Sequence, residues 1–321
     1  MPKLSMQSTT TEMTLENLFD RFIAFKKIKN LSPESIEYYE KCYHFFAEYY
    51  SGSLPCSGIT KDVCLGYIQH LQQTRPNLKD VTLNTYLRAV RALLYYGMEL
   101  GYLPRFKVEF IKANKEIKET YTDEELVLLL KKPDIKRCGF VQYRDWVIVN
   151  YLLATGNRVS TLLHIKISDI DFSDGMITLT RTKNRRHQIV PLSRTMVQIL
   201  KEYLLYRQGE PDDYLFCNIF GKQFSKGGVQ TSIRAYNRNR GVHKTSVHLF
   251  RHTFAKKWIM SGGDIFRLQK LLGHSSLEVV KEYVNIFGAD LKAQYDTFNP
   301  LESMYRSQNL EAKTALSMKR K

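Results

Sequence analysis

The chain has 321 residues, room for two domains with a core each, and its 43% hydrophobic and 12% aromatic content excludes a disordered protein. No apolar run reaches the roughly 18 residues that cross a bilayer, and the opening MPKLSMQSTTTEM lacks the layout of a secretory signal, which argues against a membrane or exported protein. The formal charge of +16 is unevenly spread: residues 1–120 hold 16 Lys and Arg against 13 Asp and Glu, residues 121–321 hold 32 against 19, and the stretch 181–251 alone holds 14 against 4.

A field so local suits a polyanion, most simply nucleic acid; a basic surface without such a partner is the plainer alternative. A short N-terminus, 1–12, precedes a helical region over 13–104. In SPESIEYYEKCYHFFAEYY, Ser32 is placed to cap a helix with Pro33 at its first position, and Ile36, Tyr39, Tyr43, Phe46 and Tyr50 follow on one face. In TLNTYLRAVRALLYYGMELG the same spacing joins Leu83, Leu87, Val90, Leu94 and Gly97, with Gly101 and Pro104 closing the element. Two further helical stretches, TLENLFDRFIAFKKIK and TKDVCLGYIQHLQQ, make a bundle of about four helices.

The charged stretch 105–120 reads as a linker. Helical patterning resumes at Thr122, where Thr122 and Glu125 form a capping-box pattern. The β signal is confined to LLHIKISDIDFSDGMITLTRTKNRRHQIVPL. Its runs, broken at Ser173-Asp174-Gly175 and at 183–187, predict a small antiparallel sheet of about three strands, with helices again from Ser193. The fold class is therefore mainly α with a small antiparallel β-sheet, in two domains: a helical N-terminal bundle and a C-terminal α+β domain over 121–300, before a basic tail at 301–321. The five cysteines (Cys42, Cys56, Cys64, Cys138, Cys217) are odd in number and scattered, as reduced thiols of a cytoplasmic protein are.

Chemistry-bearing side chains recur in the second domain. Arg158, in ATGNRVSTLL, follows a glycine turn at a helix start, where free N–H groups and a guanidinium fork suit a phosphate. Lys183, in TRTKNRRHQIVPL, sits at or beside a turn between two strands and can donate a proton from the end of its stem; nothing local selects it over Arg185 or Arg186. In HLFRHTFAKKW, His248 and Arg251 are three apart and share a helical face, whereas His252 reads as a packing residue. His274 ends an apolar run in LLGHSSLEVVKEYVNI, and Tyr283 stands nine residues later. A phenol with an ordinary pKa of about 10 needs neighbouring cations before it can act as a nucleophile. Each of these residues alone has an ordinary reading as a surface or core side chain.

Taken together and in order, they resemble the tyrosine recombinases, also called phage integrases. The matching elements are the A-T-G-x-R turn, a Lys seven residues before V-P-L, the H-x-x-R-H-T-F-A segment, L-G-H-S-S, and a Tyr nine residues after that His. The detailed likeness spans roughly 121–297; the helical first part is similar to the family's core-binding domain in size and order. Where the family often has Glu three residues after the first Arg, this chain has Thr161.

The resemblance implies a site-specific DNA recombinase. Tyr283 attacks a DNA phosphodiester and forms a 3′-phosphotyrosyl link, and the released 5′-hydroxyl of a partner strand later reverses it. Arg158, Arg251 and His274 clamp the phosphate, Lys183 is the general acid for the departing 5′-oxygen, and His248 moves a proton near the tyrosyl oxygen. It implies no cofactor, no metal and no ATP. The partners it implies are double-stranded DNA with paired inverted-repeat core sites, a homotetramer on that DNA in which a segment near 285–300 passes to a neighbour, and, for some systems, accessory DNA-bending or directionality proteins. The role would be moving a mobile element or resolving DNA dimers. Two other readings stand beside it: a metal-dependent nuclease using Asp169, Asp171 and Asp174, and a DNA-binding regulator of the same fold without chemistry. Type IB topoisomerases share the phosphotyrosine logic without paired sites.

Overall fold

The computed structural model describes residues 12–113, 119–180, 187–274, 276–277, 281, 283, 299–302 and 304–305. The chain divides into two units, Met1–Glu116 and Ile117–Lys321. The first is built on α1 (Leu15–Ile28), α2 (Pro33–Ala47), α3 (Lys61–Thr74) and α4 (Asp80–Glu99). Three of the four begin on a side-chain cap: Thr14, Ser32 and Thr60 each accept a backbone N–H three residues on, satisfying a donor the helix leaves open. The predicted stripe of α4, from Leu83 to Gly97, is buried along its length. Phe22 lies at the centre, edge-on to Tyr39 at 5.0 Å and to Tyr96 at 5.7 Å, while Phe19 stacks on Tyr43 at 3.9 Å. Such pairs add about 0.5–1.5 kcal/mol each beyond burial.

The first part of the stretch expected to link the domains is fastened to this bundle. Val108 is buried, and the Asn84 amide donates to the Ile111 carbonyl at 2.8 Å and accepts from its N–H at 2.9 Å. That reciprocal pair works like one rung of a β-ladder made by a side chain.

The second unit contains α5 (Asp123–Leu130), α6 (Phe140–Thr155), α7 (Val159–Leu162), β1 (Ile170–Asp171), β2 (Met176–Leu179), β3 (Gln188–Pro191), α8 (Arg194–Arg207), α9 (Lys226–Asn239), α10 (His248–Met260) and α11 (Ile265–Leu272). Helix α6 is apolar around most of its circumference, and α5, α8, α9 and α10 pack against it. The capping box at α5 is formed: Thr122 Oγ1 accepts from Glu125 N while Glu125 returns the bond to Thr122 N.

The three strands form one antiparallel sheet in the order β1-β2-β3, with Ile170 opposite Ile177 and Ile177 opposite Val190. Ile177, Leu179 and Val190 face inward, following the period of two. At the β1–β2 turn the Asp171 carboxylate accepts from Ser173 N, Ser173 Oγ and Asp174 N, and Asp169 accepts from Lys166 N. These acids shape turns, the ordinary task of Asp in such places. Among the described residues no helix is long and apolar enough to cross a membrane.

Candidate active site

The site begins where α6 ends. Gly156 caps the helix in the left-handed conformation (φ 63°), and a Cβ there would lie 2.5 Å from Phe254 and 2.8 Å from Leu272. Glycine alone suits both the backbone and the space. The turn is stiffened by Asn157, whose side chain donates to the buried Tyr151 hydroxyl at 2.7 Å. Arg158 then stands at the N-cap of α7.

Arg251 extends from α10 into the same space and is 6% exposed. Its Nη1 donates to the Gly156 carbonyl at 2.9 Å. Its Nη2 donates to the Leu272 carbonyl at 2.8 Å and to His274 Nε2 at 2.5 Å. Arg158 Nη1 reaches the same Leu272 carbonyl at 3.4 Å. That carbonyl is available because Gly273, at φ 61°, ends α11 in the left-handed conformation and turns the chain away, leaving the last helical oxygens without intrahelical donors. Gln188, the first residue of β3, donates to the Lys270 and Leu271 carbonyls of the same helix end, at 2.5 and 2.9 Å. Thr161, which replaces the family's Glu, is buried, and Arg158 takes its anchor from the backbone of Leu272 instead.

Tyr283 is 2% exposed and packs with Ala255, Leu268 and Leu272. Its ring lies between two imidazoles: His274 is parallel to it at 6.4 Å (interplanar angle 5°), and His252 is tilted at 5.6 Å. The hydroxyl is 2.8 Å from His252 Nδ1. His248 stands at the start of α10, with an exposed edge.

The electrostatics of this place are cationic. Among the described residues no carboxylate pairs with Arg158 or Arg251, although exposed cations elsewhere find acids, as Lys132 does with Glu202 and Lys166 with Asp212. Burial pushes the Arg251 guanidinium down to about 10, Arg158 adds to that fall, and the Tyr283 phenol opposes it. Burial likewise lowers Arg158, again opposed by Tyr283. His248 is held below the ordinary imidazole value by loss of hydration and then by Arg251, Lys226 and Arg158. Two desolvated guanidiniums beside a phenol would gain most from a group bearing negative charge on tetrahedral oxygens.

Of the six residues singled out in the sequence, Arg158, His248, Arg251, His274 and Tyr283 gather in this one place; Lys183 lies outside the described residues, as does most of the segment 285–300. Sequence reasoning set His252 aside as packing, and the structure corrects it, because the residue bonds to the Tyr283 hydroxyl. The signal was present in the chain: His252 is four residues after His248, a spacing that shares a helical face as well as three does. Gln188 and the Leu272 carbonyl carried no signal, since one is an ordinary strand residue and the other is backbone.

The profile of the phage integrase family matches residues 108–288, and that of the phage integrase SAM-like domain matches residues 14–116. Tyrosine recombinase XerD of Listeria innocua is 25% identical over 300 residues, covering 89% of this chain and 99% of the relative. Tyrosine recombinase XerC of Chlamydia caviae is 28% identical over 242 residues, 73% of this chain and 76% of its own. Among solved structures, the XerH site-specific recombinase bound to a palindromic difH substrate superposes with a TM-score of 0.67 at 22% identity, covering 85% of this chain and 81% of that one. A lambda integrase dimer bound to a COC′ core site gives 0.66 at 17% identity, with coverage of 83% and 97%. The structural likenesses concern the fold; the profile, which spans more than half of the chain, agrees with them and with the recombinases that match in sequence, so this chain belongs to the phage integrase family and is a tyrosine site-specific recombinase.

Proposed function

We propose that the enzyme breaks and rejoins duplex DNA through a 3′-phosphotyrosyl intermediate on Tyr283, using neither metal nor ATP. The observation that carries this reading is the convergence of Arg158, Arg251 and His274 on Tyr283, with no carboxylate among the described residues paired to either guanidinium. In-line attack concentrates negative charge on the non-bridging oxygens, and donors fixed beforehand on backbone carbonyls stabilise that charge without reorganising. The covalent intermediate keeps the energy of the broken bond in the phosphotyrosine, so the 5′-hydroxyl of a partner strand can attack it and rejoin the DNA. Lys183 is the proposed acid for the leaving 5′-oxygen and His248 a proton donor or acceptor near the tyrosyl oxygen.

The substrate in this proposal is a pair of inverted-repeat core sites held by four protomers. Residues 13–104 form the DNA-clamping domain, 105–120 the linker and 121–300 the catalytic domain, and a segment near 285–300 is passed between neighbours. The setting is the cytoplasm, the task is moving a mobile element or resolving DNA dimers, and accessory DNA-bending proteins are optional. Basic residues of the second unit supply most of the affinity through phosphates, so binding weakens steeply with salt.

The test is a nicked duplex carrying a candidate core site, chosen by searching the DNA beside the gene for short inverted repeats. The wild-type protein should become covalently attached to it in the presence of EDTA, and Tyr283→Phe should abolish the attachment. An adduct that survives the substitution would assign the chemistry to another residue, and loss of cleavage in EDTA would favour a metal-dependent nuclease.

A further inference from the structure

We infer that His252 is a catalytic residue, the acceptor of the phenolic proton of Tyr283; the inference rests on the reading of Tyr283 as nucleophile. The geometry is direct: His252 Nδ1 lies 2.8 Å from the Tyr283 hydroxyl, within the range of a hydrogen bond in which the phenol donates. Only a ring nitrogen without its proton can accept there, so the inference requires the neutral tautomer with its hydrogen on Nε2. A base must first reach the proton it removes, and this imidazole does.

The backbone fixes the pair. Arg251 ties α10 to the Gly156 and Leu272 carbonyls, and His252 is the next residue. Tyr283 in turn is packed against Ala255, one turn along the same helix, and against Leu268 and Leu272 of α11. The two histidines of α10 thereby divide the work. His248 has an exposed edge and its ring is influenced by Arg251, Lys226 and Arg158, the cations of the phosphate clamp. His252 is turned to the phenol.

The charged groups around the phenol bear on the same step. Arg251 and His248 from α10, Arg158 from the start of α7 and His274 after α11 surround the pair. Placing the phenolic proton on His252 adds a positive charge near the cations of the clamp, which costs Coulomb energy. A phosphodiester brings negative charge, and more accumulates on its oxygens as the phenol attacks, which offsets that penalty. In the step, the bond from the Tyr283 oxygen to phosphorus forms, the phosphorus–O5′ bond breaks, the phenolic proton passes to His252 Nδ1, and O5′ leaves with a proton from the general acid. Rejoining reverses each transfer, and nothing is oxidised or reduced.

Full-length wild type, His252→Ala and His252→Gln should be compared in single-turnover attachment to the nicked duplex across neutral pH. Removing the base should slow attachment by about 10²–10⁴-fold while the duplex is bound as before, and imidazole in the buffer should restore part of the rate to His252→Ala. In the protein without DNA, the 13Cζ resonance of Tyr283, assigned by its loss in Tyr283→Phe, should move in both variants. Attachment within about threefold of wild type in both variants overturns the inference and leaves Tyr283 as nucleophile. So does a slow His252→Ala that imidazole does not rescue and whose rate keeps the wild-type pH profile, since that marks a packing role. A Tyr283 resonance that neither variant moves overturns it without reference to DNA. Attachment of wild type through a residue other than Tyr283 removes the nucleophile, and the inference with it.

Discussion

Two buried arginines of the second unit meet opposite fates. In the seam between α6 and α9, Arg144 is 2% exposed and paired with its neighbour Asp145, at 2.8 Å from Nη2 and 3.0 Å from Nε; it also donates to the Cys217 carbonyl and to Ser232. Burial pushes the Asp145 carboxyl up, and Arg144 and Ser232 pull it back. Beside α7 and α11, Arg251 is almost as deeply buried, yet among the described residues it meets two carbonyls, an imidazole and a phenol. The first arginine is neutralised inside the fold; the second has no carboxylate partner among the described residues. An uncompensated cation in a folded interior is a cost to stability, and under the proposed function the charge of a DNA phosphate offsets it.

That contrast can be broken by experiment. The largest effect belongs to Arg251→Met, which should lower DNA attachment by about 10²–10³-fold, the scale of losing one preorganised donor, while costing less in urea unfolding than Arg144→Met, because it strands carbonyls and not a carboxylate. A variant that unfolds would show that Arg251 is structural. Arg144→Met should do the reverse. It strands Asp145 without its partner and should cost about 3–5 kcal/mol in urea unfolding, with much of the loss recovered in the double substitution Arg144→Met/Asp145→Leu. Next in size is stabilisation by ligand. Duplex DNA at a hundred times its Kd should stabilise wild type by about 2.7 kcal/mol, read from the melting midpoint, and the Arg144→Met/Asp145→Leu protein should keep more of that gain than Arg251→Met.

The smallest effect is the titration of His248. Its folded-state value lies below the ordinary 6.5, so the native state binds that proton more weakly than the unfolded chain. Its contribution to stability is therefore complete above the ordinary value and is lost as the pH falls below it. A midpoint at or above the ordinary value in an NMR titration would contradict this, and Arg251→Met should shift the midpoint upward by removing one of the nearby cations.

What could be read from the chain divides along physical lines. Helix α4 was legible because its stripe from Leu83 to Gly97 repeats with the period of the helix and faces one core. The capping box at Thr122 and the three-stranded sheet were legible for the same reason: a local pattern with a local cause. The site residues were legible as an ordered set, although no spacing between Arg158 and His274 could place them within reach of one another. That proximity comes from helix ends meeting in space. His252 was set aside because, one residue at a time, nothing in the chain shows that its ring nitrogen meets the Tyr283 hydroxyl. The Asn84 clasp on Ile111 was hidden in a stretch whose charge suggested a free linker.

The Leu272 carbonyl has a consequence for genetics. Both guanidiniums rest on an oxygen that belongs to the main chain, so no side-chain replacement at position 272 deletes it. The aim of that oxygen is encoded one residue later, by the backbone angle at Gly273. A mutational screen for lost recombination should therefore recover changes at a glycine with no side chain to offer to DNA, and a map of contacts alone would never nominate it.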